Sequence, residues 1–230
     1  MRSINILGVK YDDMSIAEAV ERSIQAMEER IAAYVLPVGS SLLLEADKNK
    51  RLMTAIKGAG LVLADDKGIQ IASGILGLPL KHKMSGADFA DALLARMSEE
   101  GMSVFVFGGR AGEAETAADS ILDRFPGIEI VGTASGDFVE DEEIKQSIDR
   151  ARPDLLLTCL SSPRQEHWLY ENCQGLNVGM AFALGESIVE YAPRRENDSF
   201  GARFMNDPRE TLKVPRAVTT ALVKRIIGRN

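Results

Sequence analysis

The sequence predicts an α/β fold: a doubly wound, mainly parallel sheet with helices on both faces and a basic C-terminal helical appendage. Three observations carry this expectation. Short apolar runs alternate with amphipathic stretches from about residue 61 to residue 183, the pattern of strands buried on both faces. Acidic or hydrogen-bonding side chains follow two of those runs, at Asp65 and at Ser161–Trp168, where an open parallel sheet binds its ligands. The texture changes after Gly185, where polar residues and prolines precede a basic stripe. One α/β domain over 1–192 is expected, with a polar linker and amphipathic appendage over 193–230.

Ile4–Val9 reads as a short strand leading into a turn at Tyr11-Asp12-Asp13. Ser15 and Glu18 form a capping box, in which the serine oxygen accepts a backbone N–H and the glutamate reaches back. The helix it opens carries Ile16, Val20, Ile24 and Met27 on one face. Ala32–Leu36 reads as a buried strand, followed by helix over about Ser41–Lys57. Strand Leu61–Ala64 precedes a helix around Gly68–Leu76. Ser85 opens a helix towards Gly101, and capping explains Asp88 better than catalysis does. Strand Ser103–Phe107 leads to helix Glu113–Phe125, and strand Glu129–Thr133 to helix Glu142–Ala151. Strand Leu155–Leu160 leads to helix Pro163–Gln174, and strand Asn177–Ala183 closes the series. Pro208 and Pro215 suit first helical turns. Val214, Val218, Leu222 and Ile226 recur every four residues. The apolar face of such a helix can pack on the body or lie on an anionic membrane.

The 230 residues are 45% hydrophobic and 27% charged, with a net charge of -7. An ordinary globular core is expected, and the acidic balance argues against nucleic-acid binding through phosphates. Arg209, Lys213, Arg216, Lys224, Arg225 and Arg229 stand against Glu210 alone at the C-terminal end, which suggests an anionic surface or ligand there. Cys159 and Cys173 lie in or beside apolar segments and are expected as buried thiols. His82 and His167 have no metal-ligand spacing, so no metal site is expected. No signal-peptide pattern and no membrane-length apolar run is visible, so a cytoplasmic protein is expected.

Each candidate residue has a structural explanation beside its functional one. Asp65, after an apolar strand, is either a general base or the N-cap of the next helix. Asp66 adds a like charge beside it. Gly108-Gly109 gives a strand–turn–helix start that suits a phosphate, although its spacing matches no dinucleotide or Walker fingerprint. Arg164 can pair with a diphosphate. Gln165 and Glu166 also suit simple helix initiation after Pro163, and Trp168 suits the core. Lys83 is either a phosphate contact or an ordinary exposed lysine.

Five blocks, in order, resemble the bacterial WecG/TagA/CpsF glycosyltransferase family. They are Ala59–Gly68 with Asp65 at the proposed base, His82–Asp88, Gly108–Gly112, Pro126–Thr133, and Pro153–Trp168. The last is the most specific. The resemblance implies transfer of an N-acetylmannosamine-type sugar from a UDP donor to a polyprenyl-diphosphate-linked sugar, in cell-surface polymer synthesis. It implies Asp65 as base, with Lys83, Gln165, Arg164, Asp66 and the Gly108-Gly109 turn on the donor. Arg209, Lys213 and Arg216 would meet the lipid diphosphate at the inner face of the membrane. No cofactor is implied, since cationic side chains and helix N-termini can carry leaving-group charge. Self-association into a homo-oligomer stays open. The chain departs from the family's V-T-x-N at Val35-Leu36-Pro37-Val38, placing Leu36 and Val38 where a threonine and an asparagine would face the site; Ser40 and Ser41 stand nearby. Asp66 replaces a glycine, and Ala183–Ser187 replaces G-G-S-F-D. These departures motivate a second reading, a sugar-nucleotide-binding relative without turnover. A dehydrogenase-like nucleotide enzyme is a third, weighed down by the missing glycine fingerprint.

Overall fold

The computed structural model describes residues 2–82, 84–137, 141–185 and 216–228. Its centre is a six-stranded sheet of β3 (Ala33–Val38), β4 (Leu61–Ala64), β5 (Ser103–Gly108), β6 (Glu129–Ala134), β7 (Leu155–Cys159) and β8 (Met180–Ala183). The spatial order is β4-β3-β8-β7-β5-β6. Every neighbouring pair is parallel, as the apolar runs require.

Strands β1 (Arg2–Ile6) and β2 (Val9–Asp13) form a separate antiparallel hairpin. Its turn falls at Leu7-Gly8, both at positive φ, and Asn5 Oδ1 accepts the Gly8 N–H at 2.9 Å. The turn expected at Tyr11-Asp12-Asp13 is therefore strand. The two aspartates serve as acceptors for distant backbone N–H groups. Tyr11 is fully buried, Asp12 accepts the Val62 N–H at 3.0 Å, and Asp13 accepts the Lys81 and His82 N–H groups at 2.9 and 3.1 Å.

The alternation of strand side chains divides the core in two. One face packs Leu36, Val38, Val62, Phe105, Phe107 and Leu156 under α2 (Ser40–Ala46), α3 (Lys50–Lys57), α4 (Lys67–Ile75), α7 (Asp141–Ala151) and α8 (Arg164–Asn172). The other packs Val35, Leu63, Val104, Val106, Leu157 and Phe182 under α1 (Ile16–Glu28), α5 (Gly86–Glu100) and α6 (Glu113–Arg124). Crossovers from β3 to β4, β6 to β7 and β7 to β8 step one way along the sheet over the first face. Those from β4 to β5 and β5 to β6 step the other way over the second. A single crossover hand follows, as expected for parallel units.

The capping boxes at Ser15 and Ser85 are both formed, the second with Asp88. The long helix expected over Ser41–Lys57 is two helices, because Asn49 accepts from the Arg51 and Leu52 N–H groups and starts α3. Trp168 lies in the core, its ring centroid 4.8 Å from that of Phe107. Both cysteines are buried and free.

The last helix among the described residues, α9 (Arg216–Ile227), lies against α2 and α4. Leu222 and Ile226 are buried in the first core, and Arg225 Nε donates to Asp47 Oδ2 at 2.6 Å. These residues of the four-residue stripe take the packed alternative; Val214 lies outside the described residues. So do Lys83, Arg209, Lys213 and the expected boundary at 192, while Arg216 is described only as helix backbone. No described helix is long and apolar enough to cross a membrane.

Gly108 sits at φ 132°, and a Cβ there would lie 2.4 Å from the Cys159 carbonyl carbon. Gly108→Ala should lower the melting temperature, with about 1–3 kcal/mol from the backbone alone. Gly74, inside α4 with nothing within 4 Å of an added Cβ, should gain about 0.5–1 kcal/mol as Ala. Thermal denaturation giving the opposite order would contradict this placement.

Candidate functional site

Of the expected site residues, Asp65, Asp66, Gly108, Gly109, Arg164 and Gln165 are described, and they lie at the carboxyl edge of the sheet. At the end of β4 the two aspartates part company. Asp66 is the N-cap of α4: Oδ1 accepts the Ile69 N–H at 2.9 Å and the Ser40 hydroxyl at 2.7 Å, and Oδ2 accepts the Ser40 N–H at 2.6 Å. Asp66 thus ties the start of α2 to the start of α4. The fit is close, since a Cβ at Gly39 would meet Asp66 Oδ2 at 2.8 Å and one at Gly68 would meet Ser40 Oγ at 2.0 Å. Ser40 is fully buried and spends both donors on Asp66, while Ser41 faces solvent.

With the cap taken by its neighbour, Asp65 is left facing outward. Its Oδ1 accepts the Gly86 N–H at the start of α5, at 2.6 Å. Asp65 keeps solvent contact, yet protein crowds it closely enough that desolvation raises its pKa above the ordinary carboxylate range. The Gly86 N–H opposes the rise, and the charges of Asp66 and Asp88 add to it. A solvent-open carboxylate held by one hydrogen bond and biased towards taking a proton has the properties of a general base.

Leu36 and Val38, expected at the open edge, are fully buried in the first core cluster. Apolar side chains at these positions extend the packing of α2 and α4 over β3. They present no polar group to a ligand.

The second half of the site lies between β5 and β7. These strands are neighbours, but β5 feeds α6 on one face and β7 feeds α8 on the other. That divergence is a topological switch point. The Gly108-Gly109 turn is stitched into it: the Gly109 N–H donates to Cys159 O at 2.9 Å, and Gly109 O accepts the Gly136 N–H at 2.8 Å. Arg164 Nη1 donates to Gly136 O at 2.9 Å, closing the same ring of loops. The first N–H groups before α6 already donate to carboxylates, Arg110 to Glu113 at 2.8 Å and Ala111 to Asp137 at 3.3 Å.

Gln165 and Glu166 are both buried. Glu166 Oε1 accepts from the Ser162 hydroxyl at 2.8 Å and from Gln165 Nε2 at 3.4 Å. Gln165 Oε1 and Glu166 Oε2 have no hydrogen-bond partner. Burial raises the pKa of Glu166, against hydrogen bonds that lower it. Sequence reasoning gave Glu166 only a helix-dipole role. Nothing in the block itself signals its burial, since Ser161, Ser162 and Arg164, nearer to β7, are exposed. A Cβ at Gly185, just after β8, would lie 3.1 Å from Gln165 Nε2, so Gln165 stands between two strand ends. Asp65 and this pair are three strand spacings apart, roughly 14 Å along the edge. A groove of about 730 Å³ runs along α1 and α5, among Glu18, Glu21, Arg22, Glu28, Arg96 and Glu100, and none of the described site candidates lines it.

Ligand-directed groups gathered at the carboxyl ends of a doubly wound sheet define an α/β enzyme of the kind that handles small, multi-part substrates. Comparison with known proteins makes this specific. The model of the glycosyl transferase WecG/TagA/CpsF family matches residues 4–197, and the chain belongs to that family. It is similar to the N-acetylglucosaminyldiphosphoundecaprenol N-acetyl-beta-D-mannosaminyltransferase of Bacillus spizizenii strain W23, 24% identical over 208 residues, covering 85% of this chain and 81% of the relative. A Staphylococcus aureus (strain MRSA252) enzyme of the same name is 22% identical over 205 residues, covering 88% and 81%.

The two aspartates should respond oppositely to substitution. Asp66→Ala loses a cap and two links to Ser40 and should cost about 1–2 kcal/mol. Asp65 has a raised pKa, so its ionised form weighs against folding at neutral pH, and that cost disappears as pH falls below the unfolded carboxylate value. Asp65→Asn should therefore match or exceed wild-type stability at pH 7 and equal it in acid. Denaturant titrations at both pH values check the signs; a clear loss on Asp65→Asn at pH 7 would contradict the assignment.

Proposed function

We propose that this protein transfers an N-acetylmannosamine-type sugar from a UDP donor to an N-acetylglucosamine carried on a polyprenyl diphosphate, in cell-surface polymer synthesis. The observation that carries the reading is Asp65, a carboxylate of raised pKa released from capping duty at a strand end. It takes the proton of an acceptor hydroxyl. The oxygen then attacks the anomeric carbon, the bond from that carbon to the UDP oxygen breaks, and UDP leaves. The names of the two relatives supply the sugar and the acceptor.

Gln165 and Glu166 take the sugar or nucleoside hydroxyls rather than the diphosphate. Their unpaired atoms are acceptors, and a phosphate brings only further acceptors and negative charge. A hydroxyl brings the missing donor, and leaving a buried acceptor unpaired costs about 1–3 kcal/mol. Lys83, three residues before α5 in the sequence, is assigned to the diphosphate. Arg164 and the Gly108-Gly109 turn shape the switch-point wall. Asp66 acts as a positioning residue. Arg209, Lys213 and Arg216, in an appendage over 193–230, are assigned to the lipid diphosphate, and the protein works at the cytoplasmic membrane face.

A second reading rests on Leu36 and Val38, whose burial removes two polar groups from the edge: the protein binds a sugar nucleotide without turning it over. One assay separates the two. UDP release from UDP-N-acetylmannosamine with a polyprenyl-diphosphate-N-acetylglucosamine acceptor should fall at least about 100-fold in Asp65→Asn. Equal rates would sink the base assignment. Binding of the donor with no release in wild type would favour the second reading.

A further inference from the structure

The two outer edges of the six-stranded sheet differ. The β4 edge is covered by the β1–β2 hairpin: β2 lies beside it, Asp12 takes the Val62 N–H at 3.0 Å, and every β4 residue is buried. At the other edge β6 pairs with β5 alone, and among the described residues no strand pairs beyond it. Glu129 is exposed and Ile130–Ala134 are each half-buried, whereas β7 and β8 are buried throughout. An edge strand directs alternate N–H and C=O groups outward, a template for another extended chain unless charge, proline or a covering element blunts it. β6 has no proline and no lysine, and its one charge is Glu129 at the first position. The register slips by one residue at Val131 and leaves Gly132–Ala134 in step with β5.

The charge around this edge selects its occupant. The helices before and after β6 in the chain, α6 and α7, carry eight Asp and Glu residues against Arg124, Lys145 and Arg150. On α6 an acidic stripe runs beside the strand, because Thr133 Oγ1 donates to Glu115 Oε1 at 3.3 Å. Asp119 lies one turn on and Leu122 a further turn, on the same face and both exposed. Helix α7 packs on β6 from the other face of the sheet and opens with Asp141, Glu142 and Glu143. The free edge therefore runs between two acidic helices. A second copy fits poorly, because a two-fold contact would set these carboxylates against themselves. An extended segment rich in lysine, with aliphatic residues to meet Ile130, Val131 and Leu122, satisfies both the open backbone and the charge.

We propose that the outer edge of β6 binds a lysine- or arginine-rich extended segment of another protein, which joins the sheet as a strand beside Gly132–Ala134. The partner's backbone completes the hydrogen bonding of β6, and its cations meet the carboxylates of α6 and α7. β6 and β4 are opposite edges of the sheet, so a partner held at β6 leaves Asp65 free to act.

The test uses the full chain and an end-capped octapeptide of alternating lysine and valine. Octapeptides of alternating glutamate and valine, and of alternating lysine and proline, serve as controls. The lysine–valine peptide should bind, more weakly in high salt, and should slow hydrogen exchange of the β6 amides. Proline breaks the ladder, so the lysine–proline peptide should leave that exchange unchanged, and the glutamate peptide should not bind. Asp119→Lys with Glu143→Lys should weaken lysine–valine binding at least about tenfold. Both residues are exposed, and the double variant should keep the wild-type circular dichroism spectrum. Lysine–valine binding that leaves β6 exchange unchanged would overturn the proposal. So would equal protection by the lysine–proline peptide, or undiminished binding by the double variant. Protection of the β6 amides on raising the protein concentration alone would also overturn it, by making a second copy the occupant.

Discussion

The site depends on one set of hydrogen bonds, the three that Asp66 accepts from Ser40 and Ile69. Two adjacent aspartates at a strand end compete for the same task of capping the next helix. Asp66 wins because its Oδ1 also meets the Ser40 hydroxyl and its Oδ2 the Ser40 N–H, so one carboxylate fastens two helix starts. Asp65 is then directed away from α4 and held by the Gly86 N–H. The fixed negative charge of Asp66 also helps keep the Asp65 pKa high. One neighbour thus positions Asp65 and adds to the proton affinity that desolvation chiefly raises.

The sheet supplies the rest of the geometry. Its edge runs from Asp65 on β4, past the ends of β3 and β8, to Gln165 and Glu166 after β7. The end nearest Asp65 is open and proton-seeking. The end nearest Gln165 is buried and short of hydrogen-bond donors. A substrate in two parts, with a reacting centre and a hydroxyl-rich remainder, satisfies both ends. The carboxylates of Glu113 and Asp137, which already take the N–H groups before α6, make the Gly108-Gly109 turn less welcoming to phosphate than its glycines suggest. Close contact with Cys159 accounts for Gly108 without any ligand.

Much of this was legible in the residues. Continuous apolar runs such as Val104–Phe107 and Leu155–Leu157 gave the parallel strands, and Ser15 and Ser85 gave two helix starts through local hydrogen bonds alone. Errors arose where tertiary contacts decide. Tyr11-Asp12-Asp13 has turn composition, but Tyr11 is buried and the two aspartates accept distant backbone N–H groups. Asn49 splits a helix that periodicity joined. The choice between Asp65 and Asp66 as cap was open because it is made by Ser40, on another strand's loop. Glu166 looked like a helix-dipole residue because burial is not written in a charged letter. Leu36 and Val38 are core residues whose neighbours on α2 and α4 could not be seen from β3.

The most direct test of the division between the aspartates is the pH–rate profile of Asp66→Asn. Asparagine keeps an Oδ1 acceptor for Ile69 and the Ser40 hydroxyl, gives up the acceptor of the Ser40 N–H, and removes a charge that adds to the desolvation raising the Asp65 pKa. The predicted result is an acid limb displaced to lower pH with most of the maximal rate retained. A limb that stays where it is, or transfer abolished at every pH, would contradict the account, the latter because it would make Asp66 the base.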